Sequence, residues 1–319
     1  PVLLPEFVWP ETLPEDIREL RYFNGVKYFP EYTQASIVKL INNLSGVAAG
    51  EPIRPGAAAA DPERKRTQNT YFNMEKSEID RLETQLKLMR NFDCGAFGKA
   101  IKGYDELYVL DVGSNTGAMI MDRFKDAANV KKIIGLEYNG EAVESANGTY
   151  GSVSAASFYQ LNVEDAEFVD KLLSIMERER IEKFNIVVVS MLLLHLKNPQ
   201  KLLSSVRKVM ADRGTIIIRD IDDRYNIAYP DANGDYSRVI DICSRNETSG
   251  FRYSGRQILT QLSRAGFKDI NIEKIGLTTA GLSSDEREAL FRTYFQFVLE
   301  DLEIMVKRYP EKAAYADDY

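Results

Sequence analysis

Between residues 108 and 220, short apolar runs alternate with stretches of helical period, and this alternation constrains the fold more than any other feature. Tyr108–Val112, Lys132–Glu137, Ser157–Leu161, Asn185–Ser190 and Thr215–Asp220 read as strands. Between them, Ala118–Phe124, Gly140–Asn147, Phe168–Glu177 and Gln200–Met210 read as helices. Runs as apolar as Asn185–Ser190 are buried on both faces, as in a parallel sheet covered by helices. Alternation at this spacing implies right-handed crossovers and an α/β, doubly wound, mostly parallel sheet with helices on both faces. Further on, Arg256–Ala265 reads as a helix, Lys268–Ile275 alternates like a sixth strand, and Ser284–Arg308 reads as one long helix.

The first 100 residues have a different texture. Tyr22, Phe23, Tyr28, Phe29 and Tyr32 lie close together, and Ile37, Leu40 and Ile41 share one face of a helix expected over 34–43. Residues 45–66 are rich in Gly, Ala and Pro and have no apolar period. They read as a linker or long loop, either a plain connection or a gating lid. A helix follows, with Ile79, Leu82, Leu86 and Met89 on one face and Ser77 as its N-cap. The expected organisation is a mainly helical N-terminal cap over 1–100, with the flexible linker at 45–66, on a domain of 101–319 that ends in the helix 284–308.

Composition narrows the function. The net charge of −7 argues against nucleic acid and against an anionic membrane as partners. No apolar run reaches the roughly 20 residues that span a bilayer, and no basic-then-apolar leader opens the chain. Two cysteines, Cys94 and Cys243, cannot make a disulfide framework or a four-thiolate zinc site. A single histidine, His195, excludes sites that need two, so no metal is expected. A cytoplasmic enzyme or binding protein is expected. The start at Pro1 raises the expectation that an upstream piece was removed.

The turn Asp111-Val112-Gly113-Ser114-Asn115-Thr116-Gly117 leaves a buried strand and opens a helix, which lets backbone amides approach a ligand. Gly113 and Gly117 avoid a Cβ where that ligand would sit. Asp111, at the strand edge, suits an ammonium group better than a pyrophosphate, so a dehydrogenase fits less well. Glu137 ends the next strand about 20 residues on, where an acid binds ribose hydroxyls.

Asp111-x-Gly113-x-Asn115-x-Gly117 with Glu137 resembles class I S-adenosylmethionine-dependent methyltransferases, whose usual motif has glycine where Asn115 stands. Asn tolerates a positive φ, so the departure is mild. The resemblance covers residues 70–276 and implies a Rossmann-like fold with S-adenosylmethionine as cofactor and S-adenosylhomocysteine as product. It implies that the loop with Gly113, Ser114, Asn115 and Gly117 cradles the methionine part, with Glu137 on the ribose and Tyr138 beside adenine. Asn162 and Val163 follow the third strand in the segment that recognises adenine, with a helix cap as the alternative for Asn162. Arg81 matches an arginine near the methionine carboxylate; a pair with Glu78 on a solvated helix face is the alternative. Ser190 ends the fourth strand, the end that faces the methyl group, and is expected among the cofactor-binding residues. It is not the carboxylate that metal-assisted catechol methylation needs.

His195 lies just past that strand and is a candidate general base, or else a packing or capping residue. The loop 220–231 carries four carboxylates and two phenols and resembles a stretch of uncharacterised bacterial methyltransferases, some with an upstream helix-turn-helix domain. It reads as a lid for a cationic or polyhydroxylated acceptor or as a solvated acidic loop. Tyr225 and Asp222 are further base candidates. Phe291, Tyr294, Phe295 and Phe297 on the last helix read as core or as a homodimer contact. The expected activity is methyl transfer to an O or N atom of a small molecule. A non-catalytic cofactor sensor and a protein-modifying methyltransferase are the alternatives.

Overall fold

Five parallel strands, the central ones buried on both faces, build the framework of the computed structural model. It describes residues 76–153, 155–229 and 250–294, a few positions between 231 and 240, and two short strands near the N-terminus. The expected helix 34–43, the linker 45–66, the aromatic cluster at 22–32 and the stretch 295–308 lie outside the described residues. The chain divides into two compact units, Pro1–Ala59 and Ala60–Tyr319. In the first, β1 (Val2–Leu3) pairs in parallel with β2 (Val26–Lys27).

The second unit holds the sheet. After α1 (Lys76–Lys102) come β3 (Leu107–Val112), α2 (Ala118–Phe124), β4 (Val130–Glu137), α3 (Gly140–Tyr150) and β5 (Ala156–Gln160). Then follow α4 (Phe168–Arg178), β6 (Phe184–Ser190), α5 (Pro199–Val209), β7 (Met210–Arg219), α6 (Ile258–Arg264) and α7 (Ser284–Tyr294). The strand order is β5-β4-β3-β6-β7, all parallel. The chain winds outward from β3 to β5, then crosses back to β6. The crevice at this reversal, outside the carboxyl ends of β3 and β6, is where such sheets bind ligands.

Side chains alternate between two cores. Leu110, Val112, Val187 and Val189 face α4, α5 and α6, where Phe168, Leu172, Leu203 and Val206 are buried. Leu107, Val109, Ile186 and Val188 face the other way, onto Phe97 of α1, Ile120 and Phe124 of α2, and Ala146 of α3. Each such side chain contributes about 1.5–3 kcal/mol of burial. The helical pattern read up to Phe92 continues to Lys102 through Gly95 and Gly98. Burial of Phe97 and Ala100, with Phe97 edge-on to Phe124, offsets the roughly 1 kcal/mol each glycine costs. The border read near residue 100 thus cuts the last turn of a helix that belongs to the sheet's own core.

One expected element is absent. Lys268–Ile275 has no strand partner, and β7 is the sheet edge among the described residues. The alternation that suggested a strand covers only Ile270 and Ile272; Ile275 falls on the other parity. Only Ile270 packs on the core, while Ile272 and Ile275 are exposed.

At the opposite edge, Asn147 of α3 takes the place of a neighbouring strand. Its Nδ2 donates to the Phe158 carbonyl at 2.9 Å, and its Oδ1 accepts the Phe158 N–H at 3.1 Å. Asn147→Ala strands both groups and is expected to cost about 1–3 kcal/mol in a urea melt. An unchanged midpoint would show that water replaces the amide without loss.

Candidate active site

The glycine-rich turn takes its shape from three left-handed residues. Gly113, Asn115 and Gly117 have φ of 79°, 49° and 75°. Asn115 therefore occupies the middle position without glycine, and its Oδ1 accepts the Thr116 N–H. The amides of Gly113 and Ser114 both donate to the Leu136 carbonyl, which hooks the turn onto β4. A Cβ on Gly117 would stand 2.5 Å from the Phe158 ring, and one on Gly113 would stand 3.2 Å from the Leu192 side chain. The space read as kept for a ligand is thus also needed by neighbouring side chains.

Asp111 is 1% exposed, and neither carboxylate oxygen has a hydrogen-bond partner. Burial, reinforced by the nearby Glu137 charge and opposed by Arg219, pushes it up to about 7. An orphaned buried carboxylate is costly unless a cation completes it. The Ser114 hydroxyl beside it is also buried without a partner.

Glu137, 7% exposed, organises the rim. Its Oε1 accepts the N–H groups of Tyr138 and Asn139, and its Oε2 accepts that of Asn115 at 3.0 Å. A carboxylate accepts about four such bonds, so one position on Oε2 remains for a ligand hydroxyl. Half-exposed Tyr138 lies beside it. The Asn162 Oδ1 accepts the Glu164 N–H, a turn cap that leaves the amide nitrogen unbonded. Val163 packs on the first core. Asn139, unnoticed in the sequence, caps α3 by accepting from Glu141 and Ala142.

The far side of the crevice is charged. Arg219, at the end of β7, donates from Nε to Ser190 Oγ at 3.1 Å and from Nη1 to Asp93 of α1 at 2.8 Å. Asp93 is buried and also binds Arg123 of α2, through Nε at 2.9 Å and Nη2 at 2.8 Å. The chain leaves β6 through Met191, whose φ of 53° is unusual for a long side chain. Arg81 donates to the Thr293 carbonyl and so ties α1 to α7. A continuous cavity of about 2120 Å³ runs past Asp111, Glu137, Ser190, Arg219 and Tyr294. Asp93, Arg123 and Arg219 escaped sequence reading; the charged Arg219 at the end of an apolar strand was the available signal.

Two carboxylates of the acidic loop are already paired with arginines within the fold. Both Asp222 oxygens accept from Arg256, at 2.6 and 2.8 Å, and Asp223 pairs with Arg252. Asp220 accepts from the amides of Leu194 and Ile221 and from Ser254, while burial raises it to about 6. Asp231 accepts from Tyr236 and Ser237. The Lys274 ammonium sits 3.3 Å from the centre of the Tyr225 ring. Asp222 and Asp223 are thus held by arginines of a later segment, which counts against the reading of the loop as a lid for a cationic acceptor. His195 is half-buried in a short 3-10 turn, with its Nδ1 3.2 Å from where a Cβ on Gly250 would stand.

Residues 104–259 match the family model described as a methyltransferase domain. This stretch is a methyltransferase domain. Similar solved structures include the plantazolicin methyltransferase BamL (16% identity, 62% of this chain and 70% of that one, TM-score 0.43). The [4+2]-cyclase SpnF is also 16% identical, over 70% of this chain and 72% of that one, at 0.43. The YcgJ protein of Bacillus subtilis is 19% identical over 54% and 67%, at 0.38. Among curated proteins, the NAD(+) hydrolase SARM1 of Danio rerio is 39% identical over 64 residues and its Drosophila melanogaster counterpart 39% over 67. The chain spans only 9% and 5% of those two proteins.

The cofactor of such a methyltransferase domain is S-adenosylmethionine, and the residues present fit it. The unpartnered Asp111 oxygens suit its ammonium group, and the single open position on Glu137 suits a ribose hydroxyl. No helix among the described residues is long and apolar enough to cross a membrane.

The Asp111 pH dependence follows. In the unfolded chain this group ionises near 3.8, and in the folded, unliganded protein near 7. It therefore removes stability as pH rises from about 4 to 7, and an ammonium ligand needs its ionised form. S-adenosylhomocysteine, which carries the same ammonium, is expected to bind about tenfold more weakly at pH 6 than at pH 8 by calorimetry. Unliganded Asp111→Asn is expected to melt above the unsubstituted protein at pH 8, with the gap narrowing toward pH 4. A gap independent of pH would place the titration elsewhere.

Proposed function

We propose that this domain transfers a methyl group from S-adenosylmethionine to a small molecule. The observation that carries the reading is the buried Asp111 carboxylate, left without a partner beside the left-handed turn of a methyltransferase domain. In this reading Asp111 holds the cofactor's ammonium, and the amides and Ser114 hydroxyl of the turn line its methionine part. Glu137 orients the ribose, and Tyr138, Asn162 and Val163 border the adenine. Arg81 acts through the Thr293 contact that closes α1 over α7, more than as a free partner for a carboxylate.

The bound cofactor supplies a methyl group already activated on a sulfonium centre. The chain's residues then have to hold the acceptor in line and exclude water, which effective molarities put at about 7–11 kcal/mol of the barrier. The crevice runs from Asp111 and Glu137 past Ser190 to Arg219, which supports a cofactor and an acceptor side by side. His195 is the base where the acceptor must lose a proton. Asp222 and Tyr225 serve the loop, since Arg256 and Lys274 occupy them. An active enzyme, in place of a cofactor sensor, is supported by the second, charged pocket wall around Ser190, which the cofactor alone does not need.

Calorimetry with S-adenosylhomocysteine tests the reading. Micromolar binding is expected, and Glu137→Ala, which strands the Tyr138, Asn139 and Asn115 amides as well as a ribose hydroxyl, is expected to weaken it tenfold or more. Absence of binding would sink the reading, and unchanged affinity in Glu137→Ala would show the ribose lies elsewhere.

A further inference from the structure

Ser190, expected beside the cofactor, is bound to Arg219, which the cofactor reading gives no role. They face each other across the β6–β7 ladder, and the Arg219 Nε–H fills a lone pair of the Ser190 hydroxyl. The hydroxyl's own hydrogen is then left for a second partner. Arg219 uses Nη1 on Asp93, while its Nη2 has no hydrogen bond to any described residue. The guanidinium is largely buried: its side chain is 18% exposed.

Its counter-charge is shared: Arg123, the other partner of Asp93, also pairs with Asp122. Asp93 serves two guanidinium groups, those of Arg219 and Arg123. Asp111 adds a negative field at Arg219, but that carboxylate is the group proposed to hold the cofactor's ammonium. Once the ammonium is in place, Arg219 loses part of its compensation. A buried guanidinium with a spare N–H beside a polarised hydroxyl is built to receive an oxyanion, because its planar fork matches carboxylate geometry.

We propose that Arg219 and Ser190 are the acceptor-binding pair of this site and that the methyl acceptor carries a carboxylate or similar oxyanion, bound after the cofactor. Asp93 is a positioning residue that aims Arg219. This rests on the methyltransferase reading and deepens it: the acceptor is an anion, where the loop carboxylates at 220–231 had suggested a cation.

The test uses the whole chain with benzoate and its uncharged isostere benzamide as probes. S-adenosylhomocysteine is first titrated by calorimetry; if it does not bind, the methyltransferase reading itself fails, and the anion site falls with it. With the protein saturated in S-adenosylhomocysteine, benzoate is expected to bind at least tenfold more tightly than benzamide, and more tightly than without the nucleoside. Arg219→Gln is expected to bring the benzoate-to-benzamide ratio close to one. Should that variant fail to bind the nucleoside, Ser190→Ala carries the test, with benzoate weakened threefold or more against a smaller change for benzamide. Benzoate binding no tighter than benzamide to the saturated protein, or an undiminished ratio in the substituted one, would overturn the proposal.

Discussion

Parallel pairing across β3, β6 and β7 sets the level at which each strand releases its chain into the crevice. Asp111 stands opposite Val188, Val112 opposite Val189, and Ser190 opposite Arg219. The glycine turn, the Met191 bend and the start of the acidic loop therefore leave the sheet within one or two residues of the same height. Everything chemical in the domain depends on that register. A slip of one residue between β6 and β7 would turn Arg219 to the other face of the sheet and part it from both Ser190 and Asp93.

Two buried aspartates divide the electrostatics of this level. Asp93 is saturated by two arginines and fastens α1 and α2 to the strand ends. Asp111, similarly buried, has no partner. The same residue type is thus a structural anchor in one place and a poised binding group in the other, and the difference lies in what the fold places within reach. Desolvation of a lone carboxylate weakens the unliganded protein in a way a ligand's ammonium reverses, which couples cofactor occupancy to stability.

The sheet was legible because its signals are local. The apolar runs, the glycines and the Asn at 115 carry their periods and dihedral preferences within a few residues, and the five central strands came out within a few residues of their bounds at the carboxyl ends. Lys268–Ile275 misled because two isoleucines at even spacing resemble a strand, whereas a strand exists only when a neighbour pairs with it. The acidic loop misled for a related reason: the carboxylates were visible, but Arg252 and Arg256, some 30 residues on, cancel them only in three dimensions. Asp93 was hidden altogether. It sits in a helical stretch with an ordinary surface pattern, and its partners at 123 and 219 come from other elements.

The winding order also bears on how the chain assembles. β3 finds β4 and β4 finds β5 after one short crossover each, while β3 meets β6 only when Val109 reaches Ile186. Closing the longer loop adds only about 0.6 kcal/mol per doubling of its length, yet contacts so distant in sequence slow the search. The β3–β4–β5 pairings join neighbours in sequence, whereas the crevice exists only once β6 lies on the opposite side of β3. A chain emerging from the ribosome therefore presents its glycine turn and Glu137 before the strands that carry Ser190 and Arg219 have been made. Asp111 lies beside Val188 of β6 in the finished sheet, so the cost of burying its carboxylate belongs to the docking of that later strand.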